Sequence, residues 1–119
     1  FGPIDFMLLG MGMNGHLGLN EPGTSFDHYS HIVQLDDVTK RVGQKYFNKQ
    51  TAINGGITMG MKHIKDAANV VLIVNGSKKA EMVEKLIKSE VTNKIPASFL
   101  KTVDRACLFV DRDAAAYIK

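Results

Sequence analysis

His16 stands two residues after Asn14 and five before Glu21. A histidine near a carboxylate can give and take protons close to neutral pH, because its own pKa lies there and the neighbouring charge tunes it. All three residues sit in Gly10-Met-Gly-Met-Asn-Gly-His-Leu-Gly-Leu-Asn-Glu-Pro-Gly23, directly after an apolar run. That places the chemistry at the carboxyl end of a strand, where open α/β sheets bind their ligands. Spacing alone also fits a histidine that only caps the loop by hydrogen bonding. A second group of interest is Gly76-Ser-Lys-Lys79, which follows another apolar run and opens a helical pattern with Ser77 as the expected N-cap. Lysines in a helix's first turn oppose its dipole, and a bound anion would remove the conflict. Solvated lysines are the alternative. Arg41, Lys45 and Lys49, spaced by four, form a further basic face open to the same two readings.

Other chemistries suggested by these residues fail on context. Gly10 to Gly15 matches G-x-G-x-x-G, but a dinucleotide site needs a helix to open within the turn. Gly18, Pro22 and Gly23 oppose one. His28 and His31 form a lone H-x-x-H without Cys or further ligands, which reads as a solvated loop and not a metal site. His63, flanked by lysines, reads as surface. Cys107 lies in an apolar run and is expected to be a buried strand residue; a single cysteine forms no internal disulfide, which suits a reducing cytoplasm.

The elements that must position these groups are legible as alternating patterns. Ile4 to Leu9, Val70 to Val74 and Ala106 to Val110 are continuous apolar runs ending at Gly, Asn or Asp, as strands buried on both faces of a parallel sheet do. His31 to Leu35 is a candidate fourth strand. Ser77 to Val91 carries Ala80, Val83, Leu86, Ile87 and Val91 on one helical face, with Glu81–Lys85 and Glu84–Lys88 pairs outside it. A second helix is expected from Asp36 and Asp37 to Tyr46, a third over Ile57 to Ile64, and a fourth from Ala114 to Lys119. The fold class is therefore α/β, layered and Rossmann-like, with a mainly parallel sheet and helices on both faces. Three strong strands make a thin sheet, and Phe1 runs almost directly into the first, so further elements are expected outside these 119 residues.

Composition narrows the function classes. Hydrophobic residues make up 45% and charged residues 23%, which argues against disorder. Fifteen Lys plus Arg against 12 Asp plus Glu give +3, too small to demand nucleic acid but suited to a small anionic ligand. No apolar run approaches the roughly 20 residues of a membrane span. No nucleic-acid, membrane, metal or cofactor role is expected, and homo-oligomerisation is left open.

The Gly10–Gly23 segment closely resembles the signature of the glucosamine-6-phosphate deaminase/isomerase family, G-x-G-x-[DN]-G-H-[IL]-[AG]-[FL]-N-E-P. Ile57-Thr-Met-Gly60, Gly76-Ser-Lys-Lys79 and Ile95-Pro-Ala-Ser98 lie at family-like spacing, so the resemblance covers essentially the whole chain. It implies conversion of an aminohexose 6-phosphate, glucosamine or galactosamine 6-phosphate, and water to a ketohexose 6-phosphate and ammonia. It also implies that His16 handles the ring-oxygen proton while Glu21 and Asn14 hold its imidazole, and that Lys79 and Lys45 bind the phosphate. Many relatives carry Asp at the position of Asn14, which implies a lower His16 pKa here. At Lys45 the family usually has Arg, so the bidentate fork is lost.

The resemblance also implies an N-terminal half that supplies a phosphate loop and the aspartate moving the C2 proton. Neither is matched here. Residues 1–119 are thus expected to be the C-terminal portion of a single domain, inactive by itself. The competing expectations are a 6-phosphogluconolactonase-type hydrolase, from which Asn20-Glu21-Pro22 departs, and a non-catalytic sugar-phosphate-binding domain, against which His16 and Glu21 argue.

Overall fold

The computed structural model describes residues 2–118. Three strands, β1 (Met7–Gly10), β4 (Val70–Val74) and β5 (Ala106–Val110), form a parallel sheet in the order β1-β4-β5. Met7 pairs with Val70 and Val70 with Ala106, so the three apolar runs lie in register. Parallel neighbours require a crossover, and α3 (Ala80–Lys88) supplies the one between β4 and β5. Its Ala80, Val83 and Leu86 are buried, as the helical spacing predicts, but Ile87 is exposed, and Val91, also exposed, lies beyond the helix, which ends at Lys88. Burial of Val83 and of Leu86 contributes about 2 kcal/mol each. The Glu81–Lys85 and Glu84–Lys88 pairs close at 2.7 and 2.6 Å on the solvent side.

The core occupies one face of this sheet. Met7, Val70, Leu72 and Val74 pack with Met61 and Ile64 of α2 (Met61–Asp66), with α3, and with Ala97 and Phe99 of the 3₁₀ segment Pro96–Thr102. The opposite face is open among the described residues: Phe6, Leu8 and Phe109 are each 59% exposed, and Ile73 is 47% exposed. Cys107 shares that face and is exposed, which corrects the expectation of a buried thiol. The sequence shows an apolar run but not which layer covers it.

Three further expectations shift. His31 to Leu35 does yield a strand, β2 (His31–Gln34), but it pairs antiparallel with β3 (Gly55–Thr58) in a separate ribbon. Ile57 and Thr58 therefore belong to a strand, and the helix expected from Ile57 begins only at Met61. Gly60 sets that boundary: a Cβ there would stand 2.0 Å from the Tyr29 carbonyl, and the chain crosses so closely that Lys62 N–H donates to the His28 carbonyl at 3.1 Å. The Ala114–Lys119 helix is absent over its described residues, which form turns. Asp111 pulls that segment in, accepting from the Ala114 and Gly76 amides at 2.8 and 3.1 Å; Lys119 lies outside the described residues.

The second helix is found where expected, α1 (Asp37–Gly43) followed by a 3₁₀ turn over Gln44–Tyr46. Asp36 is its N-cap, accepting from Thr39 N–H. Ser77, by contrast, does not cap α3: a 3₁₀ turn over Ser77–Lys79 intervenes, and Lys79 takes the cap position without a side-chain bond. No helix among the described residues is long and apolar enough to cross a membrane.

Candidate active site

β1 ends at Gly10, and the chain turns at once. Gly15 N–H bonds the Gly12 carbonyl at 3.0 Å and Gly12 N–H bonds the His16 carbonyl at 3.0 Å, folding His16 back over Gly12. The imidazole lies against the Gly12 backbone so closely that a Cβ there would meet ring atoms at 2.1 to 2.4 Å. The following Asn20 is fully buried and donates to the carbonyls of Leu17 and Met59 at 2.8 and 2.9 Å. Leu19 N–H bonds Thr58 Oγ1 at 3.1 Å, so the loop is stapled to the end of the β2–β3 ribbon. These bonds set Glu21 where it is buried beside the histidine.

The structure brings Asn14, His16 and Glu21 together. Asn14 Oδ1 stands 2.7 Å from His16 Nδ1, and Asn14 Nδ2 donates to Glu21 Oε2 at 2.7 Å. Glu21 Oε2 lies 3.6 Å from the same ring nitrogen. Two residues not singled out for the site from sequence complete the cluster. Asp36 Oδ2 accepts from Asn14 Nδ2, and Thr39 Oγ1 lies 3.1 Å from His16 Nδ1. The Leu35-Asp-Asp-Val-Thr39 capping pattern is visible in sequence, but its pairing with a loop more than 20 residues away is not.

Burial lowers the His16 pKa below its ordinary 6.5, with the carboxylates of Glu21 and Asp36 pulling it up and Lys79 adding to the fall. Asp36 is pushed up by burial, but the Thr39 amide, the Asn14 amide and the Thr39 hydroxyl outweigh that and hold it below the usual carboxylate value. Asp36 is thereby kept ionised, and the neutral imidazole is favoured near pH 7.

A cavity of about 770 Å³ opens at the carboxyl ends of β1 and β4. His16 and Thr39 line it, and so do Lys45, Lys78 and Lys79. No Asp or Glu does, so of the acid–base cluster His16 alone can present a titrating group to a ligand. Lys79 is held in the loop by donating to the Met11 carbonyl. Its pKa falls through burial and then through the nearby Lys45 charge. Two cations crowded at one cavity wall raise the positive potential there. Lys45 is exposed, its Nζ 5.1 Å from the Tyr46 ring. Arg41 and Lys49 of the predicted basic face do not line the cavity and are exposed.

The remaining histidines stand apart. His28 and His31 pack edge to face with centroids 4.8 Å apart, and His31 Nδ1 meets the Tyr29 carbonyl at 2.9 Å. His63 is partly exposed, with Nε2 3.1 Å from Ser30 Oγ. Among the described residues no three His, Cys, Asp or Glu side chains are grouped to hold a metal.

Fold and site together define an α/β chain with a parallel sheet, in which a histidine held by Asn14 and Glu21 lines a cavity shared with three lysines. The chain belongs to the family of glucosamine-6-phosphate isomerases and 6-phosphogluconolactonases, which matches residues 1–109. It is 41% identical over 114 residues to a glucosamine-6-phosphate deaminase of Oceanobacillus iheyensis, covering 95% of this chain and 46% of that protein. A Staphylococcus epidermidis glucosamine-6-phosphate deaminase is 39% identical over 115 residues, 96% of this chain and 47% of its own length. Among solved structures, a monomeric glucosamine-6-phosphate deaminase superposes with a TM-score of 0.89 at 37% identity, covering 94% of this chain and 47% of that one. A 6-phosphogluconolactonase from Leishmania guyanensis shares the fold, with a TM-score of 0.73 at 21% identity over 98% of this chain and 42% of its own. The chain spans about half the length of the curated relatives it matches.

Proposed function

We propose that this chain carries the ring-opening and phosphate-binding half of an aminosugar-6-phosphate deaminase/isomerase, acting on glucosamine 6-phosphate or galactosamine 6-phosphate. The observation that carries the reading is the pairing, across one cavity, of His16 held by Asn14 with the two cations Lys45 and Lys79. In the cyclic sugar, ring opening moves one proton from the anomeric hydroxyl to the ring oxygen as the C1–O5 bond breaks. His16 takes and returns that proton, so its own state is restored. Glu21 and Asn14 hold the ring and stabilise its transient positive charge. Lys79, with Lys45, holds the 6-phosphate and so places O5 against the imidazole.

The later transfer of a proton from C2 to C1 needs a second base. In this reading the base is supplied from outside residues 1–119 and the isolated chain turns nothing over, which the lack of a carboxylate among the described residues lining the cavity supports. A cytoplasmic location completes the reading and is supported by the unpaired Cys107. The test is ammonia release from glucosamine and galactosamine 6-phosphates by the full-length protein. Stoichiometric ammonia that disappears in His16→Ala is the expected result; hydrolysis of a sugar lactone phosphate without ammonia would overturn the reading.

A further inference from the structure

A primary amide has two donor hydrogens on nitrogen and an oxygen that only accepts. Asn14 Nδ2 gives its hydrogens to Glu21 Oε2 and Asp36 Oδ2. Ionised carboxylates offer no hydrogen in return, so the two of them lock the amide in one orientation and leave Oδ1 for the histidine. Oδ1 receives the His16 backbone N–H at 3.2 Å and faces His16 Nδ1 at 2.7 Å. Since that oxygen cannot donate, the neutral imidazole carries its hydrogen on Nδ1. The Thr39 hydroxyl, 3.1 Å from Nδ1, can donate or accept and so follows the choice Asn14 makes. Nε2 has no hydrogen-bond partner among the described residues and is the nitrogen left to the cavity that His16 lines.

Asp36 itself does not line the cavity; its other oxygen is occupied as the N-cap of α1, 2.7 Å from Thr39 N–H. One carboxylate alone would leave an amide hydrogen free and the flipped orientation within reach. We propose that Asp36 is a positioning residue: with Glu21 it fixes the Asn14 amide, and through it the Nδ1-protonated tautomer of His16, so that Nε2 is the atom that exchanges protons with a ligand. The charges that face this imidazole are Glu21 from its own loop, Asp36 from the start of α1 and Lys79 from the turn after β4, with Lys45 beside Lys79.

The tautomer itself does not depend on the proposed reaction; only the rate consequence rests on that reading. The experiment is ring-nitrogen NMR of histidine-labelled full-length protein, with the His16 signal assigned by its loss in His16→Gln, beside pH profiles of kcat. Asp36→Asn keeps a capping oxygen for Thr39 but turns a donor toward a donor at Asn14. Asp36→Ser keeps the cap and removes the carboxylate.

Wild-type protein is expected to show hydrogen on Nδ1. Both variants should shift the population toward hydrogen on Nε2, move the acidic limb of the kcat profile to lower pH, and reduce kcat by about ten-fold or more with KM little changed. Wild-type hydrogen on Nε2, or an unchanged tautomer in both variants, would overturn the proposal. A shifted tautomer with unaltered turnover supports the positioning by Asp36 and refutes instead the ring-opening role of His16.

Discussion

Gly12→Ala isolates the histidine's placement from the rest of the fold. An alanine Cβ would stand 2.1 Å from the nearest His16 ring carbon, whereas ordinary contact begins at 3.4 Å. The imidazole must therefore retreat by about 1 Å, and it cannot do so while keeping the 2.7 Å approach to Asn14 Oδ1. Gly12 does not have a positive φ, so alanine brings no backbone strain of its own. Overpacking of this kind costs about 1 to 3 kcal/mol of stability, while a 1 Å misplacement of a reacting group costs about 100-fold in rate. The assay is kcat for ammonia release by the full-length protein beside thermal unfolding of the same preparation. A fall of about two orders of magnitude in kcat with the protein still folded at the assay temperature is expected. A folded Gly12→Ala protein that retains half of wild-type turnover would refute the placement of His16 at the reacting bond.

Two further outcomes follow from the charges. In the full-length protein, Lys79→Ala removes the proposed phosphate contact, worth about 1.5 to 3 kcal/mol, and should raise KM for the sugar phosphate by about 10- to 100-fold while leaving binding of the unphosphorylated sugar nearly unchanged; equal losses for both would contradict the phosphate role. For His16, burial holds the folded pKa below the 6.5 of the unfolded chain, so the unfolded state binds more protons between the two values. Stability from this group is complete above 6.5 and is lost as pH falls toward the folded value. Urea midpoints measured from about pH 7.5 down to about pH 5 should fall less steeply in His16→Gln than in wild type, and identical slopes would assign the acid sensitivity elsewhere.

What could be read from sequence was whatever a short stretch of chain decides by itself. Val70 to Val74 is a strand on composition, and Ala80, Val83 and Leu86 repeat at a helical period. Asn14, His16 and Glu21 lie within eight residues, so one loop brings them together and the motif suffices to find them. Asp36 and Thr39 join the same cluster from 22 and 23 residues away, through a fold that no local pattern encodes. Ile57 and Thr58 misled for a related reason: read on their own they join the helix that follows, but His31 to Gln34 offers them a strand partner. The exposed Cys107 shows the same limit on the sheet, since a run of apolar letters names a strand without naming its cover.

β1 leads into the loop that carries Asn14, His16 and Glu21, and in the described sheet it pairs with β4. Opening of a strand breaks the contacts that it carries, so hydrogen exchange at the β1 amides reports on the integrity of the site. Each such opening carries the Gly12–His16 turn with it and dissolves the imidazole's contacts. The β1–β4 pairing thus supports the assembled site alongside the histidine's own bonds.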